Sequence, residues 1–283
     1  MLNLSASLLA MTIAVTLVGI KFIAWDATDS ISILSSLVDS FLDVLISFIT
    51  FLSIQASMVP ADHDHRFGHG KYQAIAALAQ AIIIFASVFF VIYQAIVRIL
   101  TQAEVQQPDL GVTYMIVSLA LTIILVLYQR FVAHKTQSIA IKADSMHYLS
   151  DIFTTLVVII SMLSSMYFKA NQIDIILGIL LMLIVLYGVK NILIQALAIL
   201  TDRELNEDLR TLIKSTVLAH PKCLGMHDLR TRDSGSKKFI QFHMELDSAL
   251  LLKEVHQIDD EISDAISELI PECEVIIHMD PKD

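Results

Sequence analysis

Apolar residues dominate the first two hundred positions in six long runs, at about 4–25, 30–57, 74–100, 111–132, 142–168 and 173–200. About 20 mostly apolar residues cross a bilayer as a helix, so each run predicts one transmembrane span. Polar breaks separate the runs: Asp26 and Asp29, the stretch 60–71, Glu104 to Asp109, Gln129 to Lys135, and Lys169 to Asp174. The first run has no basic segment ahead of it and no small-residue cleavage site behind it, and so reads as a span rather than a signal peptide. After residue 201 the period changes. Leu205, Leu209, Leu212 and Ile213 recur at helical spacing over 205–218. Two strands follow, "HDLRTRD" and "KFIQFHMELD", with a turn at Ser234-Gly235-Ser236 between them. In the second strand Ile240, Phe242, Met244 and Leu246 alternate with Gln241, His243 and Glu245. Val255, Ile258, Ile262, Ile266 and Leu269 stripe a second helix, and "EVIIHMD" forms a third strand. The expected architecture is a six-helix polytopic membrane domain over 1–201, followed by a two-layer αββαβ domain over 202–283.

Composition agrees with this division. The chain is 55% hydrophobic and only 17% charged, as a polytopic membrane protein should be. Its net charge of −10 is uneven: 9 basic against 11 acidic side chains up to residue 201, and 10 against 18 beyond it. An acidic tail excludes nucleic acid, which needs a basic face. The basic residues also set orientation. Arg66, Lys71, Arg130, Lys135 and Lys142 lie in or at the edges of the second and fourth breaks, against only Arg98 and Lys169 in or at the edges of the first, third and fifth. The excess of positive charge on the inner side then puts both termini and the tail in the cytoplasm. Cys223 and Cys273 have no CxxC spacing and read as reduced core thiols of a cytosolic domain, with a disulfide between them as the alternative. Lys190, late in the sixth run, reads as a side chain that snorkels to the interface.

Three groups of polar residues suggest metal chemistry. Asp39 and Asp43 stand four apart in the second run, and His147 and Asp151 four apart in the fifth. Each pair therefore shares a helical face. A carboxylate at the bilayer centre costs about 2.5–3.5 kcal/mol, so three together cost roughly 8–10 kcal/mol and call for a function. Four N/O ligands from two helices can close a tetrahedron around zinc, and one imidazole among carboxylates favours such a borderline ion over magnesium or calcium. The same spacing also fits hydrated polar faces or a proton relay without metal. The second group is Asp62, His65 and His69 in "ADHDHRFGHGK", an acid with a histidine pair at chelate spacing, though a solvated loop would look similar. His63 and Asp64 read as bystanders. The third is the tail set His227, His243, His256, His278 and Asp280, which scattered surface histidines would also produce. His134 and His220 have no acid at useful spacing and read as structural. Lys71 and Asp202 both fall at the cytoplasmic boundary, where they could pair.

With these residues in view, the chain resembles the cation diffusion facilitator family, and within it the bacterial YiiP-type zinc/proton antiporters. The resemblance runs from "SLVDSFLD" through "PADHDHRFGHGK" and "ADSMHYLSD" to "LGMHDLRTR", "FIQFHMELD" and "EVIIHMDP". It implies a homodimer in the bacterial inner membrane whose cytosolic αββαβ domain is metallochaperone-like. It also implies that Asp39, Asp43, His147 and Asp151 form the transport site, and that Asp62, His65 and His69 form a loop site. His227, His243, His278 and Asp280, with His256 nearby, would form a two-metal site at the tail dimer interface, and Lys71–Asp202 a charge interlock near the dimer junction. Two positions depart from the pattern. The first helix begins almost at Met1, as though a short leader were missing, and Met279 stands where the family has glutamine.

Metal ligands must be deprotonated to bind, so metal and protons compete for one site. An alternating site would export zinc, with cadmium, iron or cobalt as other candidate cargo, against inflowing protons. No P-loop is present to couple ATP. Two rival readings remain. An intramembrane metal-dependent hydrolase would usually carry HExxH, which is missing here. A metal-sensing membrane receptor would bind metal and pass none, and flux in sealed vesicles separates it from a transporter.

Overall fold

The computed structural model describes the backbone of residues 2–28, 31–101, 109–167 and 173–283, and the side chains over 2–23, 25–26, 37–90, 92–93, 115–156 and 180–283. Six long helices come first: α1 Leu2–Thr28, α2 Ile31–Ser57, α3 Lys71–Thr101, α4 Asp109–Thr136, α5 Ile139–Tyr167 and α6 Ile173–Leu200. At 1.5 Å per residue even the shortest reaches about 40 Å, beyond the roughly 30 Å hydrocarbon core of a bilayer. Among the described residues α1, α2, α3, α4 and α6 each hold a stretch apolar enough to cross a membrane. The apolar end of the span expected in α5 lies outside the described side chains, as do Arg98 and Lys169.

The chain packs as two compact units, Met1–Ala56 with Tyr72–Ala196, and Ser57–Lys71 with Leu197–Asp283. In the first unit Ala10, Ile13 and Leu17 of α1 meet Leu125 and Val126 of α4 and Tyr148 and Ile152 of α5. Large apolar side chains such as Phe41, Phe48, Phe85, Leu127 and Tyr187 face outward, while Thr50, Gln80, Gln129, Asp144 and His147 are buried. Lipid solvates the former, and only partners within the bundle can satisfy the latter.

The second unit reverses that pattern. It contains α7 Glu207–Leu218, β1 Gly225–Asp233, β2 Lys238–Asp247, α8 Leu252–Leu269 and β3 Cys273–Lys282, the expected αββαβ order. Asn206 caps α7 by accepting the Leu209 N–H at 2.9 Å, so Leu205 precedes the helix rather than opening it. β2 is the central strand, antiparallel to β1 and parallel to β3. Ile240, Phe242, Met244 and Leu246 on one face of β2 pack against Ile213 and Val217 of α7 and Ile258, Ile262 and Ile266 of α8. The alternation read from sequence therefore places His243 on the face away from the helices. Leu269 is exposed and takes no part in the stripe. Cys223 and Cys273 are free thiols against the edge of this core, and burial pushes the Cys223 thiol up.

Residues 57–71 belong to the same unit. Phe67 meets Phe239 edge to face at 5.2 Å. The Arg232 guanidinium lies 4.3 Å from the Phe67 ring and 4.9 Å from the Phe239 ring, a cation–π arrangement. Gly70 approaches Ser234 and Ser236 so closely that no Cβ would fit. Lys71 Nζ donates to Asp202 Oδ1 at 2.8 Å, realising the pair suggested by position alone.

Candidate metal centres

In the first unit α2 and α5 bring Asp43, His147 and Asp151 together, with one ligand atom of each within 4.8 Å of the others. His147 Nε2 lies 3.1 Å from Asp43 Oδ1 and 3.7 Å from Asp151 Oδ2. Ligand atoms sharing a tetrahedral zinc with bonds of about 2.0–2.1 Å are about 3.3 Å apart, so these separations bracket the required one. Asp151 Oδ2 is buried without a hydrogen-bond donor. A buried acceptor left unsatisfied costs about 1–3 kcal/mol, which a cation would relieve. Asp39 is exposed, one turn from Asp43, and stands outside the cluster of three. The pair of helices is fixed next to the cluster by a 2.6 Å hydrogen bond between the buried Ser47 and Tyr148 hydroxyls.

The 57–71 segment gathers Asp62, His65 and His69. Asp62 Oδ1 accepts the backbone N–H groups of His65 at 2.6 Å and Asp64 at 3.0 Å, and these bonds hold its carboxyl below the usual range. The imidazoles lie 3.4 and 3.5 Å from its two oxygens. His69 Nδ1 sits 3.3 Å from the Val59 carbonyl. A proton on Nδ1 would bond there and leave Nε2, which faces Asp62, as the metal-binding nitrogen. One carboxylate and two imidazoles suit zinc-like ions. His63 and Asp64 remain exposed and outside the group.

In the tail, strand register assembles the third cluster. His227 of β1 and His278 of β3 both stand opposite His243 of β2, so three imidazoles cross the sheet in a row. Their ring centroids are 5.0 and 4.5 Å apart. A bulge after His227, where Asp228 takes a positive φ of 50°, shifts the β1 register just beyond the row. Asp280 completes the set: Oδ2 lies 2.9 Å from His243 Nδ1 and 3.3 Å from His227 Nε2, and Oδ1 lies 3.4 Å from His278 Nε2. The His243 bond leads the interactions that hold the Asp280 carboxyl low, so it stays charged at neutral pH. His227, His243 and Asp280 bring ligand atoms within 4.8 Å of one another, a set that suits a zinc-like ion, while His278 stands outside that group and reaches it through the second Asp280 oxygen. His256 does not join them within the protomer. It lies on α8 beside Asp259 and Asp260.

Residues 7–201 match the cation efflux transmembrane domain, and residues 205–282 the cytoplasmic domain of cation efflux proteins. The chain belongs to the cation efflux, or cation diffusion facilitator, family. It is 41% identical over 281 residues to the cation-efflux pump FieF of Shewanella oneidensis, covering 98% of this chain and 93% of that one. It is also 41% identical over 277 residues to protein p34 of Rickettsia rickettsii, covering 98% and 91%. Among solved structures it is similar to the metal-bound C-terminal domain of the CzcD transporter from Thermotoga maritima, at 27% identity and a TM-score of 0.25, covering 26% of this chain and 87% of that one. A cation efflux protein of this kind is a membrane transporter of divalent cations and not an enzyme.

Several residues of this cation efflux chain escaped the sequence reading. Asp144 is fully buried in α5, one turn from His147, where Gln129 Nε2 donates to Oδ2 at 2.5 Å and Thr50 Oγ1 lies 3.4 Å from Oδ1. Lys21 of α1 donates to Ser40 Oγ at 2.6 Å. Both are charged residues inside apolar runs, and that alone was the available signal. His220 pairs with Glu261 of α8 at 3.1 Å, a partner that sequence spacing could not reveal. Met279 packs against the tail core, so its side chain takes no part in the histidine row.

Proposed function

We propose that the protein exports zinc in preference to other divalent ions, from the cytoplasm across the bacterial inner membrane, in exchange for protons. The convergence of Asp43, His147 and Asp151 inside the membrane unit supports this reading most directly. Asp39, one turn along α2, is the fourth ligand, recruited when the helices rearrange around the ion. Metal enters only as protons leave these atoms, and inflowing protons displace it again on the outer side. A buried polar site between helices that rock about it is what alternating access requires. The match to the family's cytoplasmic dimerisation domain supports a homodimer, and the basic residues of the second and fourth loops support cytoplasmic termini.

Proteoliposomes with an imposed pH gradient test the exchange. Zinc uptake should exceed that of cadmium, iron and cobalt, and collapse when the gradient is dissipated. Uptake indifferent to the gradient would reject proton exchange, and no uptake at all would reject transport.

The ligand set sets selectivity. Replacing His147 by aspartate makes the site all-oxygen, so relative uptake should move toward harder ions such as manganese. Unchanged ratios of zinc, cadmium and manganese uptake would count against this coordination. The 62–69 group is assigned an auxiliary role, binding one ion near the membrane boundary. His69→Ala should remove one zinc per protomer in equilibrium dialysis while flux persists at a reduced rate. An unchanged stoichiometry would remove that site from the scheme. In the tail, His227, His243, His278 and Asp280 hold ions that neutralise an acidic domain, with His256 as an additional ligand supplied from outside the row.

A further inference from the structure

A cationic side chain beside a cation's path repels the cargo, so its presence needs a reason. Lys21 lies seven residues before α1 ends at Thr28, about 10 Å from that end. Lysine stems near a helix end usually carry their ammonium out to the interface. This one turns inward instead: its Nζ donates to Ser40 Oγ at 2.6 Å. Ser40 is fully buried and sits on α2 between Asp39 and Asp43. Ser40 adjoins Asp39 and stands three residues from Asp43, so the ammonium is tethered to the helix that carries two of the four proposed ligands.

We infer that Lys21 is a tethered counter-charge for the transport site, balancing its carboxylates after the metal has left and yielding when metal returns. The inference rests on the assignment of Asp39, Asp43, His147 and Asp151 as that site. Clustered carboxylates in a bilayer need positive charge at every stage of a cycle, and leaving one uncompensated is strongly destabilising. Protons supply some of that charge and the metal supplies it when bound. An ammonium on a flexible four-carbon stem supplies it in between. In its ammonium form a lysine has no lone pair and cannot act as a ligand. Its place near the α1–α2 connection puts it on the outer side of the site in the orientation proposed above, where the ion departs. Lys21 therefore holds affinity down and speeds both release and the return of the unloaded site.

The sign of the effect distinguishes this role from packing. Even at the dielectric constant of water, a unit charge about 6 Å from a divalent ion weakens its binding about tenfold. Lys21→Met in full-length protein in proteoliposomes should lower the zinc concentration for half-maximal uptake about tenfold, and lower the maximal rate severalfold. Damaged packing would instead raise the first while lowering the second. Lys21→Gln keeps a donor for Ser40 and should behave as Lys21→Met does. Lys21→Arg keeps the charge and should stay nearer to the wild type on both constants. A half-maximal concentration that rises, or stays within twofold, in whichever of Lys21→Met and Lys21→Gln folds would overturn the inference. Asp151→Ala measured alongside separates the two ideas. If that variant still transports, the site assignment is wrong, whereas if it is inactive only the role of Lys21 has failed.

Discussion

Replacing Asp151 by alanine is expected to reduce zinc uptake into proteoliposomes to the level of protein-free vesicles, a loss of at least about a hundredfold. Residues that merely orient a metal ligand cost 10–100-fold when mutated, and a ligand should cost more. Asp151 offers an oxygen 3.7 Å from His147 Nε2, and that oxygen accepts no hydrogen bond within the protein. Its loss therefore breaks no native hydrogen bond at that atom, and folding should survive. An unchanged helical circular dichroism spectrum and gel-filtration volume in detergent would establish that. Uptake within tenfold of the wild type in a well-folded variant would sink the assignment of the transport site.

The second large effect concerns the tail. Residues 202–283 carry 10 basic and 18 acidic side chains, so two tails meeting face to face repel each other. Ions bound at His227, His243, His278 and Asp280 would supply positive charge where the repulsion arises. The tail core lies between Leu209 and Met279, so the comparison is made on residues 202–283 and repeated on full-length protein, which keeps Phe67 against Phe239. A ligand at a hundredfold excess over its dissociation constant stabilises the folded form by about 2.7 kcal/mol. For a domain of this size that corresponds to a rise of roughly 10–20 °C in melting temperature. Zinc should produce such a rise over chelator and shift sedimentation toward the dimer. The double variant His243→Ala, His278→Ala should lose both responses and keep its zinc-free melting temperature, since neither side chain contributes to the core. Equal sedimentation with zinc and with chelator would make the tail a passive dimerisation module.

How much of this was legible beforehand depends on whether an element declares itself locally. The six apolar runs and the Ile240–Leu246 alternation follow from periodicity, which is a property of each segment alone. The i, i+4 pairs in α2 and α5 likewise fix shared faces, and the structure joins Asp43 to His147 and Asp151. Asp39 shares its face with Asp43 yet stays outside, because helix rotation and tilt decide which turn meets the neighbour. The histidine row depends on strand register, and nothing local in "FIQFHMELD" or "EVIIHMDP" fixes a parallel pairing that aligns His243 with His278. His256 shares only its residue type with the row, and α8 carries it beside Asp259 and Asp260 instead. Asp144 and Lys21 carry no local pairing signal, since neither has a ligand-like partner four residues away. Their partners, Gln129 and Ser40, come from other helices.

The packing of Phe67, Gly70 and Lys71 against the tail bears on how relatives can be recombined. Residues 57–71 are separated from Asp202, Arg232, Ser234 and Phe239 by more than a hundred positions, yet they form one packed body with them. A chimera that exchanges only the segment after residue 201 would set a foreign hairpin against a native loop. A Cβ at position 70, a different side chain at 232 or a lost acid at 202 would then misfit across the new seam. Exchanging the two segments together preserves the seam, so the transplantable module of this protein is discontinuous, and a domain swap cut at one point would confound loss of the tail with damage to the loop.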